Sequence, residues 1–192
     1  MKNCFLLLFI LGLTCGTALA ETTYPFSCKD AKINASIKYS VIGRYQAKFS
    51  ECTGKIVYND TQDQIKAVEL QITTKSIGSN CDWCDKTVLS KQLLDAATYP
   101  FILFKSDSFL KNDKNYEVSG SLDLHGKLDS LKSPFAMEEF IDPKDGKPYM
   151  RIKGKWIINR KDFNITWNKV LDQGGVLVGN HITVNWEILL KK

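Results

Sequence analysis

"HITVNWEILLKK", residues 181–192, reads as one strand of a sheet with one dry face. Ile182, Val184, Trp186, Ile188 and Leu190 fall on one side, and His181, Thr183, Asn185 and Glu187 on the other. Side chains of a strand alternate between its faces, so this spacing is that of a half-buried antiparallel strand. The pattern returns upstream. "INASIKYS" (33–40) sets Ile33, Ala35, Ile37 and Tyr39 on one face, and "AVELQITTKS" (67–76) alternates Val68, Leu70 and Ile72. "YEVSGSLDLHG" (116–126) carries Tyr116, Val118, Leu122 and Leu124, and "YMRIKGKWIINR" (149–160) carries Met150, Ile152, Trp156 and Ile158. "KIVYN" (55–59), "FILFKS" (101–106) and "SPFAMEEFI" (133–141) complete a set of eight strand segments.

One segment has helical spacing. "KTVLSKQLLDAATYP" (86–100) places Val88, Leu89, Gln92, Leu93 and Ala96 three to four apart and stops at Pro100. "PKDGKP" (143–148) is a hairpin turn in composition, and "DQGG" (172–175) a loop. Eight antiparallel strands with one apolar face each predict an all-β sandwich or a closed barrel. Closure suits an exported chain, because it removes exposed edges. An eight-stranded barrel holds its own side chains or one ligand.

Export is read from residues 1–20. Lys2 gives the positive start, "FLLLFILGL" (5–13) the apolar run, and "ALA" (18–20) a small-residue cleavage site. The run falls short of the roughly 20 apolar residues that span a bilayer. The mature chain is therefore expected to be a single domain over 21–192. The formal charge of the 192 residues is +5, and drops by one when Lys2 leaves. The charge is spread, without the basic stripe that nucleic acid demands, so no nucleic-acid partner is expected. His125 and His181 are the only histidines, and no Ser/His/Asp arrangement can be assembled from them. Catalysis and a metal centre are not expected.

Four stretches resemble the YceI-like family of periplasmic polyisoprenoid-binding proteins. They are "TTKSIGSN" (73–80), "LLDAATYPFILFKSDSF" (93–109), "VSGSLDLHGKLDSLKSPF" (118–135) and "INRKDFNITWNKVLDQGGVLVGNHITVNWEI" (158–188). The resemblance covers about residues 28–192. It implies an eight-stranded, lipocalin-like antiparallel barrel with one short helix at its mouth, in the periplasm. It also implies a passive binding protein that sequesters or carries a polyprenyl or quinone-type molecule, with no required cofactor. A membrane b-type cytochrome is a possible partner on the same ground.

The strand faces then supply the expected tunnel lining: Ile37, Tyr39, Phe49, Leu70, Ile72, Ile102, Phe104, Leu122, Leu124, Trp156, Ile158, Val184 and Trp186. The two tryptophans serve equally well as plugs at the base. Two polar residues are candidates for a ligand head group. His125 ends a strand, although its parity points it outward, as a turn histidine. Arg160 shares the parity of Trp156 and Ile158, and either meets a phosphate or pairs with Asp162.

Cys4 and Cys15 lie in the leader, which leaves Cys28, Cys52, Cys81 and Cys84. An even count in an exported chain reads as disulfides. "CDWC" (81–84) departs from the family's loop at this place. It lacks the His of a haem attachment site and the strand–helix–strand setting of a redox couple. A Cys81–Cys84 clamp at the helix entrance is the leading expectation, with Cys28–Cys52 as its complement. A thiol-redox accessory using Cys81 and Cys84, associated with quinone or cytochrome b systems, stands as the alternative function, and a metal site as a lesser one.

Overall fold

The alternation of residues 181–192 is realised as the last strand of a rolled sheet. The computed structural model describes residues 21–39, 43–112, 115–169 and 177–192. Its strands are β1 (Glu21–Ser27), β2 (Ala31–Tyr39), β3 (Gly43–Phe49), β4 (Cys52–Asn59), β5 (Gln64–Thr73) and β6 (Ile77–Gly78), followed by β7 (Phe101–Asn112), β8 (Asn115–Leu124), β9 (Lys127–Ile141), β10 (Pro148–Asn159) and β11 (Val178–Lys191). One helix, α1 (Asp82–Leu89), lies between β6 and β7. The expected leader (1–20), with Cys4 and Cys15, and the expected loop at 172–175 lie outside the described residues.

All strands join one antiparallel sheet in the order β1-β4-β5-β7-β8-β9-β10-β11-β2-β3-β6. It curls into a half-barrel whose inner faces converge. Met150, Ile152, Trp156 and Ile158 of β10 are buried together with Val184, Ile188 and Leu190 of β11. The pairs Met150↔Leu190, Ile152↔Ile188 and Trp156↔Val184 put like faces side by side. Burying such faces is the main force that rolls the sheet, at roughly 25 cal/mol per Å² of apolar surface.

The curl is completed by one bent hairpin. β2 pairs with β3 from Tyr39↔Gly43 to Ile33↔Phe49, and β1 pairs with β4 from Ser27↔Thr53 to Glu21↔Asn59. The two limbs are one ribbon, broken at a corner. Cys28 and Cys52 sit at that corner, joined by a disulfide and by a Cys28 N–H to Cys52 carbonyl bond of 3.1 Å. β11 bonds to the β2 limb and β5 to the β4 limb, so the ribbon stands between the two flanks of the sheet.

Among the described residues the strand count is eleven, where eight were expected. The three strands missing from the expectation are β1, β3 and β6. β1 carries Pro25 and mostly exposed side chains, with only Phe26 buried. β3 alternates, but with the small Ala47 at its centre. β6 is two residues long and extends the sheet from the turn at Thr74–Ser76.

The helix also differs from the expected 86–100. It begins four residues earlier and ends at Leu89. Ser90 is extended, and its hydroxyl donates to the Thr87 carbonyl at 2.7 Å, which competes with helix continuation. The chain then turns twice, with Asp95 in the left-handed region at φ 42°. Leu93 and Ala96 are still buried, so turns satisfy the apolar spacing that reads as helix. Thr74 ties this segment down by donating its hydroxyl to the Tyr99 carbonyl at 2.8 Å.

Candidate binding cavity

Residues of eight strands and α1 line a cavity of about 1440 Å³. Its walls hold Ile37 and Tyr39 of β2, Phe49 of β3, Leu70 and Ile72 of β5, and Ile102 and Phe104 of β7. Leu122 and Leu124 of β8, Trp156 and Ile158 of β10, and Val184 of β11 line it too. The structure thus brings twelve of the thirteen expected lining residues to one space. Trp186 is the exception. It lines a separate apolar void of about 40 Å³, shared with Phe104 and Trp156.

Trp156 and Trp186 form the floor between the two spaces. Their ring centroids lie 5.7 Å apart, and Phe104 packs on Trp156 at 5.1 Å. Gly154 makes the stack possible. It faces Trp186 across the β10–β11 pair, and any Cβ there would overlap the indole. A glycine inside a strand opposite a large aromatic is the sequence signal that identifies this floor.

Arg160 follows β10 and is 1% exposed on the cavity wall. The expected ion pair with Asp162 is not made; Asp162 accepts from the Asn159 amide at 2.9 Å. Arg160 instead donates to four carbonyls: Gly179 at 2.8 Å, Ile165 at 2.6 Å, Trp167 at 2.8 Å and Val178 at 3.4 Å. These bonds strap the segment after β10 to the start of β11. Burial lowers the guanidinium pKa from its usual value. These bonds use four of its five N–H groups.

His125 lies outside the cavity. It occupies the β8–β9 turn at φ 56°, and its Nδ1–H donates to the Phe163 carbonyl at 3.2 Å. Its ring packs on Tyr99 at 4.6 Å. The turn-histidine reading describes its place; the head-group reading does not.

α1 covers the cavity from the side of β3. Cys81 is its N-cap, bridged to Cys84 by a disulfide, and the Cys81 Sγ accepts from the Cys84 N–H at 3.3 Å. The pair is thus in the first turn of the helix and not in the loop before it. Asp85 latches the helix to the sheet. It accepts from the Tyr45 hydroxyl at 2.7 Å, the Ser79 hydroxyl at 2.6 Å and the Ser79 N–H at 2.8 Å. Burial works to raise the Asp85 pKa, but the bonds from Ser79 and Tyr45 hold it below the usual carboxylate range. Burial, then the bond to Asp85, push the Tyr45 hydroxyl well above its usual value, so it remains a donor. Sequence reading missed this latch, because Tyr45 lies in the unrecognised β3.

The YceI-like domain model matches residues 24–190. A UPF0312 protein of Yersinia enterocolitica is 26% identical over 169 residues, covering 82% of this chain and 86% of its own. One of Yersinia pestis is 27% identical over 170 residues, with the same coverage. Among solved structures, Burkholderia cenocepacia BcnA superposes with a TM-score of 0.71 at 19% identity, covering 84% of this chain and 97% of that one. A polyisoprenoid binding domain from Saccharophagus degradans gives a TM-score of 0.64 at 12% identity, covering 88% and 97%. These structures share the fold.

Proposed function

Because this chain belongs to the YceI-like family, we propose that it binds one isoprenoid chain in the apolar cavity and sequesters or carries it in the periplasm, without catalysis. The observation that carries the reading is the cavity. About 1440 Å³ exceeds the roughly 300–1,000 Å³ that suits a drug-sized ligand. Its depth is walled by Leu70, Ile72, Phe104, Leu122 and Val184, with polar groups toward the α1 side. A long hydrocarbon gains by leaving water for such a wall, and a compact polar metabolite does not. The polyisoprenoid binding named for the Saccharophagus degradans domain supports the same class of ligand. A polyprenyl phosphate and a quinone both fit this description, and a membrane b-type cytochrome is the partner proposed for a quinone.

The thiol-redox alternative gains no support from the site. Cys81 and Cys84 serve as cap and first turn of a helix in an all-β fold.

The test is organic extraction of the purified native protein followed by mass spectrometry. An isoprenoid in stoichiometric amount is the expected result. A protein that carries none, and takes up none when offered polyprenol or ubiquinone, would sink the reading.

A further inference from the structure

The charges on this molecule are distributed unequally between its two ends. At the end holding the β4–β5 and β9–β10 turns, Lys111 pairs with Asp63, Lys191 with Asp145, and Lys192 with Asp60 and Glu139, while Lys144 and Lys147 share their turn with Asp142 and Asp145 and make no side-chain ion pair among the described residues. At the end holding α1, the cations on the cavity border make no such pairs. Arg44, Lys48 and Lys169 border the cavity, all three are exposed, and none is in an ion pair among the described residues. No Asp or Glu lines the cavity among the described residues. α1 brings Asp82 and Lys86, both exposed and one turn apart, which offset each other, and Asp85, which is held by Tyr45 and Ser79. The border is therefore cationic. Beside it, Trp83 borders the same cavity and is 65% exposed.

We propose that this end of the molecule docks on an anionic phospholipid bilayer, with Trp83 at the headgroup level and Arg44, Lys48 and Lys169 on the lipid phosphates. An indole is amphipathic and settles at a membrane interface, and basic side chains near an anionic surface add attraction that salt screens. The docking is peripheral: among the described residues no helix is long and apolar enough to cross a membrane. Its purpose rests on the isoprenoid reading, since it sets the open end of the cavity against the lipid phase where isoprenoids dissolve. Its evidence is the charge and the tryptophan.

The experiment is co-sedimentation of the full chain with vesicles of phosphatidylcholine plus phosphatidylglycerol, and with phosphatidylcholine alone. The vesicles contain no isoprenoid, so failure here leaves the ligand reading intact, and that reading is tested separately by extraction. Binding to the anionic vesicles alone, weakening as salt rises, is expected. Arg44→Gln/Lys169→Gln should lower partitioning about twenty-five-fold, at roughly fivefold per charge. Trp83→Ala should lower it severalfold and abolish quenching of tryptophan fluorescence by brominated lipid. Lys144→Gln removes the same charge from the opposite end and should change nothing. These side chains are exposed, so circular dichroism should show all variants folded. Equal binding to both vesicle types, no binding, or binding that the mouth variants leave untouched would overturn the proposal. So would self-association that Trp83→Ala abolishes, because a second copy would then be the occupant of this face.

Discussion

Trp156 stands where the large cavity ends and the small void begins, so its ring sets how deep a chain can reach. Trp156→Ala should cost about 3–5 kcal/mol in urea unfolding, the usual loss for a buried Trp. The folded fraction should prefer longer polyprenols than the parent does, read by native mass spectrometry of a mixture of graded lengths. An unchanged length preference would mean that Trp156 is not the floor. At Gly154 the opposite error is fatal to packing. Gly154→Val drives a side chain into Trp186 and should lose about 1–3 kcal/mol or more, with altered near-ultraviolet dichroism from the displaced indole. The inward parity of both tryptophans is legible in "KWII" and "VNWEI", but their depth is not. Depth depends on register, and only the pairing Gly154↔Trp186 beside Trp156↔Val184 shows that Trp186 sits a layer below. Arg160 was legible as inward-facing for the same reason. Its partners are main-chain carbonyls from residues 165–179, which carry no mark in sequence.

The two disulfides do different work because they close different lengths of chain. Cys28–Cys52 spans 24 residues and restrains the unfolded chain by about 3.5 kcal/mol, against about 2 for the three-residue span of Cys81–Cys84. Cys28→Ser/Cys52→Ser should therefore lower the urea midpoint more. Cys81→Ser/Cys84→Ser should fold, but release ligand faster, because it frees the start of α1 above the cavity; stopped-flow loss of a fluorescent isoprenoid would show it. Equal release rates in parent and variant would remove α1 from any gating role. The Asp85 latch gives this element a pH dependence of fixed sign. A carboxyl whose folded pKa is depressed stabilises fully above its unfolded value, near pH 4, and that stabilisation is lost as pH falls through the folded value. Acid, not alkali, should loosen α1 and speed release, and Asp85→Asn should be fast at every pH. Strands with strict alternation were readable one by one. β1 and β3 were not, because half of each is a ribbon edge with few buried side chains. The helix boundary was hidden by Ser90, whose hydroxyl bond to the Thr87 carbonyl ends a run that spacing alone would continue.

At the scale of the whole molecule, a chain of 192 residues built around a large apolar space is stabilised by whatever fills it. A ligand at a hundred times its Kd adds about 2.7 kcal/mol. Delipidated protein should melt about 5–10 °C lower than protein refilled with polyprenol, at the usual 2–4 °C per kcal/mol for this size. Identical melting curves would mean that the cavity does not take the chain. All-β architecture, the antiparallel sheet and the inward faces follow from a period of two, which any strand shows locally. The bent ribbon and the floor follow from contacts between residues more than twenty positions apart, which the period does not encode. The stacked indoles have one more effect. They close the cavity on the side of the small void. If the proposed isoprenoid goes in tail first, it meets this floor and leaves in reverse, presenting its polar end before its hydrocarbon. Loading and unloading are then mirror images at the same threshold, and whichever surface waits there meets the cargo head first.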